Sequence, residues 1–174
     1  MKRLVLAVLT SSLLLASSLA YCDEILPTGL GAAIDRDVAR VRAATERFKT
    51  VATALAAGYV ATDRCVQHPT HGAMGLHYKN PALRDAKPEL EQPEILLYER
   101  LPDGTLRLNG VEYVVPLTAW TQAEPPVLLG QQMRREEAQG IWYLHAWIWE
   151  RNPSGIFADW NPRAQCPVAA RAPD

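Results

Sequence analysis

Residues 94–117 read EILLYERLPDGTLRLNGVEYVVPL. Two apolar runs, 94–101 and 105–117, flank Pro102-Asp103-Gly104, and a Pro-Asp-Gly turn between such runs is β-hairpin chemistry. Within the second run, Asn109-Gly110 poses a choice between another tight turn and a bulge in one long strand. The segment ahead of it is only about five residues long, which favours the bulge. A third run, IWYLHAWIWE at 141–150, alternates aromatic and aliphatic residues as a further strand would. The polar connector MRREEAQG leads into it with a glycine turn.

N-terminal to these strands, Ile34, Val38, Val41, Thr45, Phe48, Ala52, Leu55 and Tyr59 recur at alternating steps of four and three, with charged residues between them. That spacing predicts one long amphipathic helix over 34–59, its charges on a solvated face, Gly31 ahead of it and Gly58 as a stop. The expected fold class is α+β: a long N-terminal helix packed on a twisted, mainly antiparallel sheet. Three Pro- and Gly-rich stretches, 65–93, 123–131 and 152–162, read as long loops covering the sheet's open side.

The first twenty residues combine Lys2 and Arg3, an apolar run and a Ser18-Leu19-Ala20 exit. This is the pattern of a secretory signal peptide cleaved after Ala20, leaving 21–174 as one secreted or periplasmic globular domain. No later apolar run approaches the roughly 20 residues of a membrane span. Without Lys2 and Arg3, about 16 basic residues face 19 acidic ones. No basic stripe remains for nucleic acid, so the expected partners are a metal or a small-molecule ligand.

Of the three cysteines, Cys65 and Cys166 are the expected disulfide pair in an oxidising compartment. Closing a loop of about 100 residues is worth on the order of 4–5 kcal/mol in the chain-entropy model. Cys22 sits near the new N-terminus. Tyr21 stands where a lipoprotein motif wants a small residue, so no lipid anchor is expected.

The four histidines fall in two places, His68, His71 and His77 in HPTHGAMGLHY and His145 in the aromatic strand. Strand periodicity puts Tyr143, His145, Trp147 and Trp149 on one face and Trp142, Leu144, Ala146 and Ile148 on the other. Aromatic surroundings disfavour an imidazolium and leave His145 neutral, the form that ligates metals. In GVEYVVP, Glu112 and Val114 point away from Val111, Tyr113 and Val115. If the latter face the helix, Glu112 lies on the sheet's other side and needs a partner. His145 can supply it from a neighbouring strand, and His77 from a loop shaped by Gly75. Two histidines and a carboxylate make a metal-ligand set with open positions, zinc or copper being the candidate ions and Met74 a possible soft ligand for copper. Glu112 is either third ligand or catalytic base. The plainer alternative is a buried histidine hydrogen bonded to Glu112. Cys65, His68 and His71 have a zinc-like spacing, but the expected disulfide competes for the thiolate.

All five tryptophans lie between 120 and 160. The rival class is therefore a non-catalytic module binding a sugar-like or apolar ligand in a pocket lined by Tyr143 and by Trp147 or Trp142. No Gly-x-Ser-x-Gly elbow, phosphate loop or paired-carboxylate spacing supports nucleophilic or glycosidic catalysis.

The series MGLHY (74–78), PEILLYE (93–99), GVEYVVP (110–116), LLGQ (128–131), LHAWIW (144–149) and NPSGIFADWNP (152–162), with Cys65 and Cys166, resembles a set of small uncharacterised secreted bacterial proteins. The resemblance covers nearly the whole chain from about residue 45. It implies no settled activity and assigns no role to His77, Glu112 or His145.

Overall fold

The structure, a computed structural model, describes residues 27–166; the signal peptide and Cys22 lie outside the described residues. The elements are helices α1 (Ala32–Thr45) and α2 (Val51–Ala56), then strands β1 (Val60–His68), β2 (Gly72–Lys79), β3 (Ile95–Arg100), β4 (Leu106–Pro116), β5 (Val127–Leu128), β6 (Gln131–Gln132), β7 (Arg134–Glu136) and β8 (Ile141–Ala146). Six of the strands form one antiparallel sheet in the order β1-β2-β3-β4-β8-β7. The class is α+β. Among the described residues no helix is long and apolar enough to cross a membrane.

The single long helix expected over 34–59 is instead two. After Thr45 the chain makes a short 3-10 turn (Glu46–Lys49) and Thr50 is extended at φ −91°, ψ 107° before α2 begins. Side chains from the body of the protein take the polar groups at the break. The Tyr98 hydroxyl donates to the Phe48 carbonyl at 2.5 Å, and the Trp149 indole donates to Thr45 Oγ1 at 3.1 Å. Thr45 Oγ1 itself donates back to the Val41 carbonyl, a bond that favours bending. Phe48 and Ala54 face the core on either side of the break, whereas Ala52 and Leu55, the positions the apolar spacing predicts, are exposed, because the break shifts the face that α2 turns inward.

The hairpin forms as its turn chemistry predicts, with Gly104 N–H donating to Leu101 O, and Asp103 Oδ1 accepting from the Thr105 N–H and hydroxyl. Leu97 pairs with Gly110 and Tyr98 with Leu108, so Asn109 is the extra residue of a bulge. That bulge ends β8 at Ala146, earlier than the apolar run through 150 suggests. The Trp149 and Glu150 N–H groups both turn to the Asn109 carbonyl, which carries Trp149 over to the helix side of the sheet. The stretch 65–93 also holds more order than a loop: Cys65 to His68 complete β1, and Gly72–Lys79 is β2. Within 123–131 lies half of a miniature hairpin, β5 with β6.

The two faces of the sheet differ in kind. One carries Leu96, Tyr98, Val111, Tyr113, Val115 and Leu144 against Val38, Val41 and Phe48 of the helical layer. Full burial of each such side chain contributes roughly 1.5–3 kcal/mol. On the other face a smaller cluster, Ile95, Leu97, Val114 and Ile141, surrounds three polar residues. The C-terminal segment 147–166 straps across part of that face. It is held by a two-way backbone bridge between Ala73 and Asn161 and by the Cys65–Cys166 disulfide, whose Cα atoms are 5.6 Å apart.

At Gly110 an added Cβ would stand 2.6 Å from the Ala146 carbonyl oxygen and 3.2 Å from Trp147 Cα, both backbone atoms. Gly110→Ala is therefore expected to cost about 1–3 kcal/mol in denaturant unfolding. Gly140→Ala, where a Cβ meets nothing within 4 Å, should lose only the roughly 1 kcal/mol of its left-handed backbone.

Candidate metal centre

Register brings the polar residues of the second face together. Glu112 on β4 is the direct cross-strand partner of His145 on β8, and on its other side it faces Ile95 of β3. His77 stands on β2, opposite Leu97, and reaches across β3. Glu112 Oε2 lies 3.4 Å from His77 Nε2 and 3.6 Å from His145 Nε2. Each of the three residues offers a donor atom within 4.8 Å of the other two. Ligands about 2.1 Å from one ion are spaced by roughly 3.0–3.4 Å, so closing on an ion needs shifts on the order of 1 Å.

Both imidazoles are aimed by their far nitrogens. His77 Nδ1 lies 3.2 Å from the Gly75 carbonyl oxygen, and His145 Nδ1 lies 3.3 Å from Asp159 Oδ1. Each Nδ1 thereby carries the proton as donor, and each Nε2 faces Glu112. Asp159 is itself held by an ion pair with Arg134 and by the Tyr143 hydroxyl at 3.3 Å. Gly75, at φ 93°, has its carbonyl available to His77 because the backbone turns where a Cβ would stand 2.5 Å from Tyr98 O. His77 is thus delivered by a strand with a glycine distortion, not by a loop.

All three residues are buried, His145 to 2 % exposure and Glu112 to 6 %. Among the described residues, His145 Nε2 is a buried side-chain nitrogen with no hydrogen-bond partner. Burial alone would strip the proton from His145, but Glu112 and Asp159 outweigh it and push its pKa up to about 9. Burial alone would likewise raise the Glu112 pKa, yet the imidazoles, His145 foremost, hold it well below the carboxylate range. This corrects the neutral ring expected from aromatic surroundings: facing carboxylates make metal-free His145 a cation. An ion taking the place of the Nε2 proton would satisfy the same carboxylates.

The triad opens into a cleft of about 940 Å³, which Met74 and Tyr143 also line. Trp160 is the only tryptophan on its wall. Trp147 packs instead with Ala73 and Ala164 and donates its indole N–H to Ala158 O at 2.7 Å, and Trp142 joins the helix-side core. Cys65 is bonded to Cys166, so no thiolate joins His68 and His71, whose rings lie tilted against each other with centroids 4.2 Å apart. Asp159 is the site residue that sequence reasoning missed. FADWNP reads as an ordered turn, and nothing in its spacing points to a histidine fourteen positions earlier.

No protein-family model, curated protein or solved structure matches this chain.

A second buried acid, Glu94, accepts the Val114 N–H at 3.0 Å, and burial raises its pKa to about 8. In the metal-free protein the depressed Glu112 contributes stability above the ordinary carboxylate range that is lost in strong acid. The raised His145 contributes stability that is complete below about pH 6.5 and lost as pH climbs through about 9. The raised Glu94 favours the folded state at low pH and withdraws that support between about 4.5 and 8. Urea midpoints of chelator-treated protein should accordingly be highest near pH 5 and fall toward pH 9. Glu94→Gln, which keeps an acceptor for Val114, should flatten the slope below pH 8.

Proposed function

We propose that this chain is an exported protein whose His77, Glu112 and His145 bind one divalent transition-metal ion, zinc fitting the donor set best, with the ion's remaining positions open to the cleft. The observation that carries this reading is the convergence of two Nε2 atoms on one buried carboxylate oxygen while both Nδ1 atoms are spoken for. A histidine serving only to pair Glu112 needs neither a second imidazole nor an outward carboxylate behind it. Here the Asp159–His145–Glu112 line repeats the carboxylate–histidine–ion arrangement that orients ligands in metal sites.

Glu112 lies between the two nitrogens and acts as third ligand, not as a separate base. Three protein ligands leave room for water or substrate, as in catalytic zinc sites, where the bound ion lowers the pKa of water to about 7 and polarises carbonyl or phosphoryl oxygen. The chain's own residues support the site from beneath and behind. Ile95 and Leu97 form its floor, and Asp159 keeps the His145 ring turned toward the ion. Export is supported by the Cys65–Cys166 disulfide, which an oxidising compartment maintains. We also propose membership of the small secreted family that the sequence motifs resemble.

The purified mature protein should bind about one Zn²⁺ per chain, read by calorimetry and native mass spectrometry. His77→Ala and His145→Ala should each lower affinity by at least a hundredfold, and Asp159→Asn by about 10–100-fold. Stoichiometric copper that zinc does not displace would change the ion assigned. Wild-type protein with no stoichiometric metal at micromolar concentration would overturn the reading.

A further inference from the structure

The walls of the cleft carry a charge pattern that its floor does not explain. Arg64 on β1, Lys79 at the end of β2 and Arg84 after the short 3-10 turn (Pro81–Leu83) all line it. Lys79 follows His77 by two positions and so stands on the same face of the strand, about 7 Å further along. Among the described residues, none of the three has a carboxylate within ion-pair distance. Arg40, Arg107, Arg134, Arg135 and Arg163 each meet one, whereas Arg36, Lys87, Arg100 and Arg151 share the unpaired state, so it is the gathering of three such cations on one cleft that sets these apart.

The acids of the cleft cancel these charges only in part. Glu112 is committed to the two imidazoles, and Glu136, which accepts the Ala138 N–H, offsets one of the three cations. Glu94 is tied to the Val114 N–H, and its burial keeps it largely protonated at neutral pH. With a divalent ion on the triad, the cleft is strongly positive, while Ile95, Val114 and Ile141 give it an apolar flank. Low-dielectric walls of one sign concentrate ligands of the other.

We propose that the cleft binds a small oxyanion ligand with an apolar portion, a carboxylate or a phosphate ester, through Arg64, Lys79 and Arg84, with its anionic group facing the His77, Glu112 and His145 centre. This deepens the metal reading and rests on it for the ion. Two arginine forks and a lysine are the donor set that recognises carboxylate and phosphate oxygens. The apolar flank selects against bare inorganic anions. A neutral sugar would leave the three cations without counter-charge.

The test uses mature protein with and without Zn²⁺, titrated calorimetrically with hexanoate, phenyl phosphate and the uncharged hexanamide. At least one anion should bind Zn²⁺-loaded protein tenfold or more tightly than hexanamide, and which anion wins tells the two sources apart. Affinity should weaken about fivefold for each of Arg64→Gln, Lys79→Gln and Arg84→Gln. All three side chains are exposed, so the variants should keep the wild-type melting temperature and Zn²⁺ stoichiometry. Zinc bound normally but with anion affinity equal to that for hexanamide, or unchanged in the triple variant, overturns this inference and leaves the metal reading intact. If no metal binds, the metal-free titration still decides. Anion binding abolished by the triple substitution supports recognition by these cations, and none above hexanamide overturns it.

Discussion

The placement of the Glu112 carboxylate constrains the rest of the structure. Moving a carboxylate from water to an apolar sheet face costs several kcal/mol even after relaxation, and only positive charge held close offsets it. Two imidazoles 3.4 and 3.6 Å away supply that charge when protonated, or hold an ion that supplies it. Removing His145 alone would leave an acid buried with little compensation. Removing Glu112 would take away one of the two carboxylates that hold the His145 proton, leaving Asp159 as the other. The site and the stability of this face are therefore one problem, and the helix side of the sheet carries none of it.

The C-terminal strap makes the arrangement specific. Asn161 is fully buried and exchanges backbone hydrogen bonds with Ala73, while its side-chain amide donates to Arg151 O and its Oδ1 accepts the Arg163 N–H. Gln165 N–H is anchored on Glu99, which also takes Arg107 and Asn109 from β4. Just ahead of these anchors Asp159 arrives at His145 with Arg134 and Tyr143 on its other side. The disulfide closes the same strap onto β1, whose residues form one wall of the cleft. Covalent link, backbone bridge and outer carboxylate thus act on a single imidazole. Orientation of a ligand is inherited here from the tertiary docking of a segment without helix or strand of its own.

Much of this was legible in the sequence wherever the signal was local or periodic. The Pro-Asp-Gly turn, the bulge at Asn109 and the opposite faces of Glu112 and Val111 follow from turn chemistry and a period of two. The convergence of His77, Glu112 and His145 was an extrapolation from those faces, and the buried group they form agrees with it. Three things were hidden. The apolar spacing of the sequence continues past the break after Thr45, which involves neither Gly nor Pro, and its polar partners, Tyr98 and Trp149, come from far along the chain. Strand β2 carries Gly72 and Gly75, residues that punctuate loops but here permit close backbone approaches to Asn161 and Tyr98. Asp159 depends on where the strap lands, which no spacing encodes.

Side chains from strands that do not touch share this centre. Adjacent strands lie about 4.8 Å apart, so β2 and β4, with β3 between them, are separated by roughly 10 Å at the backbone. A flat sheet would stand the side chains of His77 and Glu112 parallel at that distance. Their 3.4 Å approach requires both to lean inward over Ile95 and Leu97, which are buried beneath them. The close contact at Gly75 falls on the β2-β3 seam, the bulge at Asn109 on the β3-β4 seam and the close contact at Gly110 on the β4-β8 seam. Bulges increase local twist and bend the strand that carries them. Gly75 and Gly110 permit their close backbone approaches two residues before His77 and Glu112, the two side chains that lean together over β3.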